Sequence, residues 1–493
     1  MAIFGRESQS PQQRIVVGVM SGFGNTFVVS ILGAFATHEM ALRYGASGFG
    51  IFVTAVAFGG IAQSLTDLGL FQVLQRDIAR DQSRAPRLMS LVIGLRLTLS
   101  AMVVPIAIAI GYLVYRHHPS SLKIAIVLVL LGTPLTALLQ IISAYYAATA
   151  RLPTVAVIGI VKQLTFVVLV ILVIAERMSI VDCVAATLAG SVVATIISFL
   201  LVRREVPLRV VADRREWKTM LVETTSVGMS SLLGYFYLTG DVLILSVMVS
   251  TSQVGSYGVS YAVVSVFGAV PTLLSVAMLP MIVHTAEDQL ELVINTAMKY
   301  FAIAGALTAA LGIVVGASVI RLYAGAHFGS AVVPLQILSG GQIVLCMTQG
   351  LSSMSIARGH HRKLFQCSLI GLVLNVTLNL ILIPSFGIRG SAAATTLCEL
   401  LLSMVMAFII RKDLGVTPHI FRASWKAALA AAVPCVALWH WYANGKASSP
   451  MGFLLAIPVM ALFALVLFLL RGIPSEVVPA VRGLLFRKEG GAP

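Results

Sequence analysis

Charge is scarce in this chain of 493 residues: 11% are Asp, Glu, Lys or Arg, and only 19 are acidic. Soluble proteins carry roughly a quarter charged residues, so a water-soluble globular fold is excluded. Cysteine is scarce too. Cys183, Cys346, Cys367, Cys398 and Cys435 include no C-x-x-C pair, which argues against a disulfide framework or a metal site and for small buried residues. There is no glycine-rich phosphate loop, and the connections on one side are too short for a catalytic acidic cluster. An enzyme is not expected: no catalytic residue, cofactor or metal is assigned.

What is present is apolar sequence. Hydrophobic residues make up 58% of the chain, gathered into about fourteen stretches from Ile15–Ala36 to Met451–Leu470, each long enough to cross the ~30 Å hydrocarbon core of a bilayer. The polar, basic segment before Ile15 leads into a run too long for a signal peptide, so a retained first helix is expected. The net charge of +15 is unevenly placed. Arg76, Arg80, Arg84 and Arg87 fill one connection, Arg203 to Lys218 another, and Arg358, Arg362, Lys363, Arg411 and Lys412 follow the same alternation. The intervening connections hold only a scattering, such as Arg43, Arg116, Arg177 and Lys446. That bias puts both termini in the cytoplasm. It makes the basic excess topological, with attraction to anionic membrane lipids and no nucleic-acid partner.

The chain also resembles itself. Ser47-Gly48-Phe49-Gly50 opens the second span and Gly255-Ser256-Tyr257-Gly258 the eighth. Ile180-Val181-Asp182-Cys183 and Ile388-Arg389-Gly390-Ser391 open the sixth and twelfth, at the same offset of about 208 residues. A repeat of six helices inserts both copies with one orientation and relates them by a pseudo-twofold along the membrane normal. The expected fold is an all-α polytopic membrane protein of about 14 transmembrane helices. Residues 1–205 and 206–415 form two six-helix lobes, and 416–493 carry two further helices and a cytoplasmic tail.

Polar stripes mark faces turned away from lipid. Ser230, Gly234, Tyr237 and Asp241 share one face of span seven, and Tyr257, Tyr261, Ser265 and Gly268 one face of span eight. Span one clusters Ser21, Gly22, Asn25 and Thr26; span two carries Gly60, Gln63, Ser64 and Asp67. Thr133, Thr136, Gln140 and Ser143 in span four equally suit helix packing. Ionisable residues at depth, Arg96, Lys162, Asp241, Lys299 and Glu399, each cost several kcal/mol unless paired or wet. Asp241, Asp67 and Glu399 are candidates for coupling or gating, and Asn25, Tyr237, Tyr257 and Tyr261 for lining a cavity.

Gly240-Asp241 through Val254-Gly255-Ser256-Tyr257, Asp67-Leu68-Gly69-Leu70 with Arg76, and Asn375, Asn379 with Ile383-Pro384-Ser385-Phe386-Gly387-Ile388-Arg389-Gly390-Ser391 carry a resemblance. They resemble segments of the Wzx-type flippases, the polysaccharide-transporter branch of the multidrug/oligosaccharidyl-lipid/polysaccharide exporter superfamily. Ser391 departs from that branch's usual Gly-Ala pair. The resemblance implies a central cavity lined by spans one, two, seven and eight. The implied cargo is a polyprenyl-diphosphate-linked oligosaccharide, moved to the periplasmic leaflet of a bacterial cytoplasmic membrane by alternating access for export of a cell-surface polysaccharide. A polysaccharide polymerase and co-polymerase are implied partners. Arginines suit a diphosphate, which makes Arg14, Arg76 and Arg96 candidates. A peptidoglycan-precursor flippase and a cation-coupled multidrug exporter are the alternatives.

Overall fold

The computed structural model describes residues 11–438 and 450–472. The Arg14 side chain, the end of the thirteenth expected span at Trp441, and Lys446, Arg482, Arg487 and Lys488 lie outside the described residues. The helices are α1 (Pro11–Asp67), α2 (Leu70–Arg80), α3 (Ala85–Val114), α4 (Ser120–Leu131), α5 (Thr133–Ala148), α6 (Leu152–Ala175), α7 (Ile180–Val202) and α8 (Arg214–Met248). There follow α9 (Thr251–Phe267), α10 (Ala269–His284), α11 (Leu290–Ala324), α12 (Val332–Gly340), α13 (Gln342–Ala357), α14 (His361–Leu414), α15 (Ile420–Ala437) and α16 (Ala456–Leu469).

Among the described residues, 11 helical stretches are long and apolar enough to cross a membrane, and the pair Ala326–Gly340 and Gln342–Ala357, bent by 44°, makes 12. The sequence suggests about fourteen. The difference lies in two helices that run on where a connection is expected: α1, of 57 residues, and α14, of 54. Each carries one non-helical residue, Gly45 (φ 63°, ψ −169°) and Gly387 (φ 56°, ψ −134°). A positive φ brings a Cβ against neighbouring backbone, so glycine sits there. At Gly387 the chain folds back on itself. Ser391 Oγ donates to Asn379 Oδ1 at 2.7 Å and the Cys398 thiol approaches Gly371 O at 3.2 Å, pairs that step outward from the kink. α14 is a helical hairpin without a loop.

The chain packs as two compact units dividing at Gly255. In the first, Leu74, Ile78, Met89, Ile142 and Tyr146 form one apolar layer. Met40, Ala55, Leu130, Val170 and Cys183 form another. α8 packs on α1, α2 and α3, so packing and the sequence repeat divide the chain at different points. In the second unit α11 is the central helix, packed on α12, α13 and α15. Its small residues Ala302, Gly305, Ala306, Ala309, Ala310 and Gly312 are buried and let those neighbours approach.

Within the first unit Gly50 and Gly255 lie in one close backbone contact. A Cβ on Gly50 would lie 1.8 Å from Thr251 O, and one on Gly255 1.9 Å from Ala46 O. Ser47 and Thr251 share a hydroxyl hydrogen bond of 3.0 Å between them. Backbone cannot yield as a flexible side chain can. Gly50→Ala is therefore expected to destabilise the protein by about 2 kcal/mol. Gly24→Ala, where a Cβ meets nothing within 4 Å, should leave the thermal midpoint in detergent unchanged, and comparing the two midpoints checks it.

Candidate functional site

In the first unit α1 ends at Asp67, the chain turns through Leu68 and Gly69, and α2 begins. The Asp67 carboxylate caps that turn, with Phe71 N donating to Oδ1 at 3.3 Å. Arg96 reaches the same oxygen from α3, its Nη1 at 3.2 Å, and Nη1 also points at Ala137 O on α5 at 3.5 Å. The Arg96 side chain is 1% exposed. Its Nε and Nη2 have no hydrogen-bond partner among the described residues. A buried guanidinium is costly, and pairing with one carboxylate oxygen leaves most of its donors unused. Such a group can donate to a further anionic oxygen.

One turn earlier on α1, Gln63 Nε2 donates to Gln140 Oε1 at 3.0 Å, and Thr136 donates to Gln63 Oε1. The polar stripes of spans two and four therefore bind each other, which is packing. Arg76 sits elsewhere. Its side chain is 41% exposed and pairs with Asp77 at 2.8 Å and Glu223 at 2.5 Å. Both acids hold its guanidinium more firmly protonated than usual, Asp77 foremost. An exposed pair of this kind contributes little to stability, but it leaves Arg76 less available to a ligand than Arg96. Asn25 lies against α6, where a Cβ on Gly159 would come 3.2 Å from Asn25 Oδ1. That buried oxygen has no hydrogen-bond partner among the described residues.

On α8, Asp241 is buried, on the same helical face as Tyr237. Sequence reasoning overlooked the off-stripe Tyr235, whose hydroxyl donates to Ala57 O at 3.2 Å. It fills the space that Gly60 leaves, since a Cβ there would come 1.7 Å from Tyr235 Oη. Also overlooked is the buried bond of 2.6 Å between the hydroxyls of Tyr115 and Ser246. The absence of a side chain at Gly60 was the available signal for the first; nothing in the sequence singles out the second.

In the second unit Tyr257 is fully buried and stacks on Tyr261 with ring centroids 6.4 Å apart. Glu399 is buried on α14, and its backbone carbonyl accepts from Thr348 of α13 at 3.4 Å. Asn379 Nδ2 donates to Asn375 Oδ1 at 3.2 Å and Oδ1 of Asn379 accepts from Ser391. The departure at Ser391 thus has a function: it ties one limb of the hairpin to the other. Ser391→Ala should lower stability by about 1 kcal/mol, measured as the shift of the thermal midpoint in detergent against the unmodified protein. Among the described residues no three His, Cys, Asp or Glu side chains gather as a metal site requires.

Comparison with known proteins adds to this geometry. The family described as "Polysaccharide biosynthesis protein" matches residues 40–286. The chain is 30% identical over 190 residues to "Probable flippase AglR" of Haloferax volcanii, a match spanning 36% of this chain and 39% of that relative. It is 24% identical over 384 residues to "Probable low-salt glycan biosynthesis flippase Agl15" of the same organism, covering 75% of this chain and 79% of the relative. In fold it is similar to the structure "Lipid II flippase MurJ, inward closed conformation", with TM-score 0.76 at 14% identity, covering 91% of this chain and 98% of that one. An inward-facing multidrug resistance MATE transporter of the MOP superfamily gives TM-score 0.65 at 15% identity, covering 78% and 94%.

Proposed function

The chain belongs to the polysaccharide biosynthesis protein family, a family of transporters and not of enzymes, and from that membership we propose that it is a flippase for lipid-linked oligosaccharide. Its cargo is an oligosaccharide carried on a polyprenyl diphosphate, moved from the cytoplasmic to the outer leaflet by alternating access and driven by an ion gradient. Arg96 is the observation that carries the reading. A diphosphate cannot cross hydrocarbon without cations to replace its water, and Arg96 offers buried guanidinium donors that its partners leave unused. The archaeal relatives named as flippases support the same class of activity.

The finer architecture belongs to this proposal. Unbroken by Gly45 and Gly387, the apolar stretches of 44 residues in α1 and 52 in α14 would each extend for more than 60 Å, about twice a bilayer core. Read as two crossings each, they raise twelve crossings to fourteen, in two six-helix lobes at 1–205 and 206–415 followed by two helices, with both termini cytoplasmic.

The test is a vesicle assay. Purified protein reconstituted with a fluorescent polyprenyl-diphosphate oligosaccharide should move it between leaflets faster than empty vesicles do. Movement no faster than in empty vesicles, with a cationic dye transported instead, would replace this reading with that of a drug exporter.

A further inference from the structure

The connection between α7 and α8 is laid down as a strap on α3. Val211 N donates to Ser90 O at 3.3 Å, Arg209 N to Ser90 Oγ at 3.2 Å, and Trp217 Nε1 to Leu91 O at 3.1 Å. Gly94 permits the contact: a Cβ there would lie 2.2 Å from Val211 O. Every acid of the strap and its flanks is engaged. Glu205 pairs with Arg151, Glu216 with Arg87, and Asp213 caps α8 through the backbone N–H groups of Arg215 at 2.9 Å and Glu216 at 3.2 Å. Arg203, Arg204, Arg209, Arg214, Arg215 and Lys218 are all exposed, and none joins an ion pair among the described residues. Between the arginines Val210 is 68% exposed and Val211 38%.

We propose that this strap is a docking site for anionic, phosphate-bearing lipid headgroups of the leaflet beside the first turns of α3. Charge complementarity argues for an anion, because four to eight basic residues beside a membrane helix attract acidic lipids. The exposed valines argue for lipid over a soluble acidic partner: apolar side chains between arginines enter the boundary between headgroup and acyl chain, as in interfacial segments generally. The backbone hydrogen bonds hold the arginines in place beforehand, so little ordering is lost on binding. The inference does not depend on which cargo the protein moves.

The experiment is binding of fluorescently tailed phosphatidylglycerol to the full-length protein in detergent, with phosphatidylcholine of the same tail as comparison. Phosphatidylglycerol should bind more tightly, and raised salt should weaken it on the unmodified protein. Neutralising Arg209, Arg214 and Arg215 together to Gln should weaken it about tenfold, whereas neutralising Arg411, Lys412 and Arg422 should not. Equal binding of the two lipids, indifference to salt, or unchanged affinity in the first triple variant would overturn the proposal. Full displacement by inorganic phosphate would assign the strap to a free anion and overturn it as well. The salt measurement decides even if the triple variant does not fold.

Discussion

Arg96→Gln should slow movement of lipid-linked oligosaccharide by roughly a hundredfold, the equivalent of about 3 kcal/mol for one charge-assisted contact at a buried site. A structural explanation competes, since breaking a buried ion pair costs about 3–5 kcal/mol of stability, and Asp67 would lose its partner. The double variant Arg96→Gln with Asp67→Asn separates the two. It removes both charges together, so no carboxylate is stranded, and folding should recover. If Arg96 binds the diphosphate, the double variant reaches the membrane in normal amount but no longer binds the lipid-linked oligosaccharide, a loss that removing a coupling charge at Asp67 would not cause. Recovery of transport together with abundance would reduce the pair to a packing element. Arg96→Lys should keep part of the rate, because charge persists while the planar fork is lost.

The second large effect is on energy coupling. Asp241→Asn should abolish the dependence of transport on an imposed proton or sodium gradient while cargo still binds. Asp241 is buried in α8 and shares a face with Ser230, Gly234 and Tyr237. A charged carboxylate within a membrane span is costly. Taking up a proton or a cation removes that cost, and the two forms can favour different conformations. Asn has nearly the same shape and cannot change charge. Transport that responds to the gradient as the unmodified protein does would leave Asp241 with a packing role only.

Much of the fold was legible because length and apolarity alone identify membrane helices. Gly50 and Gly255 were legible as glycines with a structural reason, since close helix contacts demand glycine and both lie in one such contact. The continuity of α1 and α14 was not, because a one-residue turn at Gly45 or Gly387 and a short connection read alike in sequence. In the candidate site, Asp67 and Arg96 stood out singly as charges in apolar runs. Their pairing did not, since 29 positions of helix and turn separate them and helix packing alone brings them within 3.2 Å. Arg76 looked equal to Arg96 for the same reason: its partner Glu223 is 147 residues away.

The turn at Gly387 bears on how the protein is made. A helix carrying Asn375 and Asn379 that entered the bilayer alone would bring two amides into hydrocarbon, where each unmatched polar group costs several kcal/mol. Because the chain reverses on one residue, the limb bearing Ser391 follows at once, and its hydroxyl meets Asn379 at 2.7 Å. The two limbs can leave the insertion machinery already closed on each other. Lengthening the turn would delay that meeting, so biogenesis should suffer from an insertion there before the finished molecule does.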